Sequence, residues 1–113
     1  MNTLEYNKLH SKLNAISTSD GISGNVVSIA NKILFGIKEL IAPKLMFCES
    51  GEITFYWVIG NYYIELSVDE LATTVFYFVA NNGKLIDNKD IAISKTTNIK
   101  IPDIIIKLCG DLT

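Results

Sequence analysis

With 113 residues, 49% hydrophobic and 19% charged, and a net charge of −2, the chain suits one globular domain and excludes a disordered one. Its basic residues are all lysine, and a chain without arginine and with a pI near 5.3 has neither the bidentate fork nor the positive footprint of a sequence-specific nucleic-acid binder. Lys32, Lys38 and Glu39 interrupt the longest apolar helical run, which excludes a membrane span. The opening MNTLEYNKLHSKL lacks the apolar core of a secretory leader, so the expected compartment is the cytoplasm.

In chain order, residues 3 to 16 read as a first helix. Tyr6, Leu9, Leu13 and Ile16 recur at 3-4-3 spacing, and Thr3 is the expected N-cap. The run STSDGISG, residues 17 to 24, breaks that period and reads as a loop. A second helix is expected over residues 25 to 42. It carries Val26, Ile29, Ala30, Ile33, Ile37, Leu40 and Ile41 as one stripe, Ser23 or Asn25 as cap, and Pro43 as terminator.

Beyond Pro43 the apolar period drops to two. Residues 45 to 48 form a short strand, with a turn at Ser50-Gly51. Gly60-Asn61 then has the residue types of a tight hairpin. A two-residue loop there pairs Ile59 with Tyr62, Trp57 with Ile64, Phe55 with Leu66 and Ile53 with Val68, all on one apolar face. Thr54, Tyr56, Val58, Tyr63, Glu65 and Ser67 fall on the other. The same rule at Ser50-Gly51 turns Met46 and Cys48 to the apolar face.

The strand at residues 73 to 80 is apolar on both sides. A four-residue loop after Val68 turns Val75, Tyr77 and Val79 inward, and a five-residue loop turns in Phe76, Phe78 and Ala80. The second is preferred for the larger area it buries. Asn82-Gly83 signals a type I′ turn returning a short pairing at Leu85 and Ile86. Residues 87 to 100 read as polar and irregular, with a brief extended piece over Ile91 to Ser94. Pro102 opens a final helix with Ile104, Ile105, Ile106 and Leu108, stopped by Gly110 at C′. The expected fold is α+β: a two-layer sandwich in which an antiparallel meander of about four strands is covered on one face by helices, in a single domain over residues 1 to 113.

Little in the chain carries chemistry. His10 is the one histidine, and spacing implies no carboxylate partner for it. Cys48 and Cys109 are far apart and too few for zinc, so both read as buried free thiols. Asp69-Glu70, with Glu65 upstream, reads as a solvated turn rather than a cation site. Asp87-Asn88-Lys89-Asp90 lacks the glycine and distal glutamate of a calcium loop. No catalytic residue, metal or cofactor is expected.

The candidates left are on the outer sheet face: Tyr56, Val58, Tyr63 and Glu65. Tyrosine combines apolar area with a polar tip and is enriched at interfaces. The competing reading makes these side chains ordinary strand formers, solvated or covered by residues 87 to 100. The meander's open edges offer a further route, pairing with a partner strand or a second copy.

Residues 42 to 70, APKLMFCESGEITFYWVIGNYYIELSVDE, resemble a loose group of small prokaryotic and phage-associated proteins. Their pattern is a proline-started strand, a turn ending in glycine, a strand ending in tryptophan, and a strand alternating apolar and acidic residues. Pro43, Gly51, Ile53, Trp57, Tyr63 and Glu65 occupy those places. A Trp-Asp-Gly run common upstream in the group is Ser19-Asp20-Gly21 here, without the tryptophan. The resemblance implies no established activity to carry over, but an association with mobile-element or toxin-antitoxin genes.

The expected function is therefore a non-enzymatic interaction protein from a bacterium, phage or mobile element. It would dock a sheet face or edge on another protein, as an antitoxin or an inhibitor of a defence system does. The alternatives are a ligand binder or small enzyme with a pocket between the second helix and the sheet, and a structural homo-oligomer.

Overall fold

The alternation that starts after Pro43 becomes one antiparallel meander. The computed structural model describes residues 1–16, 21–93 and 99–110. In it β1 (Lys44–Phe47), β2 (Ile53–Ile59), β3 (Tyr62–Val68), β4 (Thr74–Asn81) and β5 (Lys84–Ala92) lie side by side in chain order. Helix α1 (Thr3–Asn14) packs on α2 (Gly24–Gly36), and α2 and α3 (Asp103–Cys109) pack against one face of this sheet, giving an α+β fold. Among the described residues no helix is long and apolar enough to cross a membrane.

The β2–β3 register is the one that hairpin parity dictates: Ile59 opposes Tyr62, Trp57 opposes Ile64, Phe55 opposes Leu66 and Ile53 opposes Val68. Gly60 takes φ +59° at the first turn position, as a type II′ turn requires. Phe55, Ile64 and Leu66 are completely buried beneath α2, whose Val26, Ala30, Ile33 and Leu34 are buried as fully. Each such large side chain contributes about 1.5–3 kcal/mol.

Two facings differ from expectation, both because a loop has a different length. Between β1 and β2 the hairpin closes on Cys48, whose N–H donates to Glu52. Glu49, Ser50 and Gly51 form a three-residue loop, with Gly51 at φ +98°. This shifts parity by one, so Leu45 and Phe47 face the core side, opposite Phe55 and Ile53. Met46 instead opposes Thr54 on the outer face. Between β3 and β4, Asp69 and Thr74 close a four-residue loop through the Asp69 N–H and Thr74 carbonyl. Val75, Tyr77 and Val79 therefore point inward, while Phe76 and Phe78 point out, reversing the assignment made on buried area. The Asp69 carboxylate fixes that loop length by accepting from the backbone N–H groups of Thr73 and Thr74 at 2.7 and 2.9 Å.

Residues 84 to 92, expected to be mostly irregular, form a full strand. Asn82 and Gly83 both take positive φ, 52° and 79°, the I′ pattern. Ile86 is then a bulge residue, because Ala80 opposes Leu85 while Val79 opposes Asp87. Polar sequence hid this strand, since an edge strand needs few apolar residues. Of the extended piece expected at its end, Ile91 and Ala92 lie in β5, and Ser94 lies outside the described residues, as do positions 17 to 20 of the first loop.

The helices are shorter than their apolar stripes. Asn2, not Thr3, caps α1, in a capping box with Glu5. Ser23 caps α2, which ends at Gly36 rather than at residue 42. From there the chain finds tertiary partners: Leu40 bridges Gly110, the Ile41 N–H donates to Cys109, and the Ile41 carbonyl accepts from the Trp57 indole at 2.7 Å. Glycine is a poor helix residue, and Gly36 sits against Ile101, where an added Cβ would approach to 3.3 Å. Gly110 ends α3 in an extended conformation, φ −62° and ψ 135°, instead of the left-handed one expected at C′. Glycine is needed there for space, since an added Cβ would lie 2.8 Å from the Ile106 carbonyl oxygen.

Candidate functional site

Strand pairing carries the four outer-face candidates into one cluster. Tyr56 opposes Glu65 and Val58 opposes Tyr63 across β2 and β3. Tyr56 and Tyr63 lie with ring centroids 6.3 Å apart, and Tyr63 meets Phe78 edge-on at 6.4 Å. Val58 is 69% exposed beside them. Phe78 opposes Glu65 from β4, so aromatic side chains flank the Glu65 carboxylate on both neighbouring strands. The cluster thus combines aromatic and aliphatic area with hydroxyl and carboxylate tips.

Glu65 also borders a second region. Toward the other end of the same face, a groove of about 430 Å³ crosses the sheet. Its floor holds Thr54 and Ser67, whose hydroxyls pair at 2.8 Å and are almost completely buried. Met46 and Phe76 supply apolar walls, and Glu52, Glu65, Asp69 and Asp90 supply carboxylates. Among the described residues no three acidic, histidine or cysteine side chains converge as a metal site.

The electrostatics follow from these contacts. The Tyr63 hydroxyl donates to Glu65 at 2.5 Å. Burial, this hydrogen bond and the adjacent negative charge push its pKa up to about 12. For Asp69 burial acts upward, but the bonds from Thr73 and Thr74 outweigh it and hold the carboxyl below its ordinary value. On the inner side the Tyr77 hydroxyl donates to Asp87 at 3.0 Å, and burial with that bond raises its pKa.

Phe76 and Phe78 were missed as outer-face residues because apolar strands look alike from either side. The signal lay in Asp69-x-x-x-Thr73-Thr74, where an aspartate caps the loop and so sets parity. No other charged candidate joins the cluster. His10 lies exposed on α1, stacked on Tyr6 at 6.1 Å and in contact with Asn14. Asp87 and Asp90 belong to β5 and point to opposite faces. Cys109 is buried and free, and burial raises its thiol pKa to about 12. Cys48, expected to be buried, is free but only half-buried at the groove.

Compared with models of protein families, with curated proteins and with solved structures, the chain gives no match.

Proposed function

We propose that this chain is a non-enzymatic interaction module that docks the outer face of its sheet on a partner protein. An antitoxin or an inhibitor of a defence system, carried by a bacterium, phage or mobile element and acting in the cytoplasm, works in this way. The observation that carries the reading is the cluster of Tyr56, Val58, Tyr63 and Phe78 around Glu65, on the face opposite the helices. Apolar and aromatic area that is clustered, with polar tips, fits a partner better than scattered exposed residues do.

The face is favoured over the edges. β1 is only four residues long, and β5 carries Asp87, Lys89 and Asp90 along its length, devices that discourage strand addition. It is also favoured over a pocket between α2 and the sheet, because that layer is filled by fully buried apolar side chains.

Affinity capture from the source cell, with wild-type protein and the Tyr56→Ala/Tyr63→Ala variant side by side, tests this. A partner retained by the first and lost by the folded second is the expected result. Equal recovery of every partner removes the outer face from consideration.

A further inference from the structure

The docking reading leaves the partner's chemistry open, and the groove at the acidic end of the outer face narrows it. Elements of all five strands or their ends contribute to this groove, which therefore runs across the sheet rather than along a strand. At about 4.8 Å between strands, four intervals span about 19 Å. That length accommodates about three turns of helix or about six extended residues.

Its charge is one-sided. Glu52, Glu65, Asp69 and Asp90 are four of the twelve acidic residues in the chain, and none of the described lining residues is a cation. Lys44, the described strand lysine whose register puts it on this face, opposes Tyr56 in the aromatic half instead. The carboxylates do not converge on a point where an ion would bind. They lie around apolar side chains, Met46 (41% exposed) and Phe76. A small cation has no use for such walls, whereas the stem of a lysine or arginine packs on apolar surface while its head reaches a carboxylate.

Resting on the docking reading above, we propose that this groove receives a basic amphipathic segment of the partner protein, with lysine or arginine heads on the carboxylates and apolar side chains between Met46 and Phe76. Nucleic acid and anionic lipid carry the wrong charge for it. A second copy placed face to face would oppose the same four carboxylates.

Panning the intact protein against a display library of random peptides of about sixteen residues tests both levels. The expected winners alternate lysine or arginine with apolar residues. They lose about tenfold in affinity, about 1.4 kcal/mol, to Glu65→Gln/Asp90→Asn, and weaken with added salt. Both substitutions keep side-chain size, and Glu52→Gln/Asp90→Asn replaces that pair if it fails to fold. Winners that are not basic but are lost with Tyr56→Ala/Tyr63→Ala overturn the basic-segment proposal and leave the docking face standing. No enrichment, or winners indifferent to both pairs of substitutions, overturn both.

Discussion

Tyr63 donates its phenol proton to Glu65 at 2.5 Å, and this single bond joins the aromatic half of the outer sheet face to its acidic half. Both side chains come from one strand, two positions apart, so the period of two alone places them on one face. The bond gives the face a defined polar point amid apolar rings.

That bond has a titration signature. Tyr63 ionises near 12 instead of its ordinary 10.0, through burial, the hydrogen bond to Glu65 and the negative charge around it. The folded pKa is raised, so its stabilisation is complete below about 10 and is lost as pH rises toward 12. Glu65→Gln removes the charge and should bring the Tyr63 transition down toward 10, stopping short because burial remains. Carbon-13 tyrosine NMR resolves it from Tyr77, which titrates late for its own reason, burial and the bond to Asp87. An unmoved Tyr63 transition in the variant would show that Glu65 does not hold the phenol.

Gly51→Ala should cost about 1–3 kcal/mol in urea unfolding. Gly51 has φ +98°, and an added Cβ would lie 3.0 Å from the Gly21 carbonyl oxygen and 3.1 Å from the Glu70 Cβ. Gly24→Ala is the matched control, because nothing lies within 4 Å of an added Cβ there. It should change stability by less than about 1 kcal/mol. Equal effects at the two sites would mean that the β1–β2 turn does not need its left-handed residue.

The Thr54–Ser67 hydroxyl pair should behave as a unit. Thr54→Val leaves the buried Ser67 hydroxyl without its partner, at a cost of about 1–3 kcal/mol. Adding Ser67→Ala should then cost little more, so a double-mutant cycle should give a coupling of about 1 kcal/mol. Strictly additive losses would mean that the pair is not formed in solution.

Trp57→Phe should release the segment after α2. The indole N–H holds the Ile41 carbonyl at 2.7 Å, and the Ile41 N–H is held in turn by Cys109. Loss of the donor should cost about 1–3 kcal/mol, and hydrogen exchange at the Ile41 amide should accelerate more than at Ile64 in β3. Uniform acceleration at both amides would indicate global destabilisation without local release.

How much of this was legible depended on whether local chemistry fixed the loops. Gly60-Asn61 admits one tight turn, so the β2–β3 register and the outward facing of Tyr56, Val58, Tyr63 and Glu65 could be counted from residue numbers. After Val68 two loop lengths fit the composition, and burying phenylalanine area was the wrong tie-breaker. The deciding interaction was the polar capping of Thr73 and Thr74 by Asp69, which apolar bookkeeping does not see. β5 escaped notice because its residues alternate weakly, and α2 ended early because the Ile41 backbone is held by the Cys109 carbonyl in α3 and the Trp57 indole in β2. The acidic groove was invisible in sequence, since Glu52, Glu65, Asp69 and Asp90 line one groove only when the three loops between β2 and β5 have their actual lengths.

Photo-crosslinking in the source cell tests the central claim most directly. Benzoylphenylalanine replaces Val58, 69% exposed on the outer face, or Phe35, 61% exposed on α2 across the molecule. The docking account predicts a discrete crosslinked partner from position 58 and none from position 35. A partner captured at 35 and absent at 58 would contradict it.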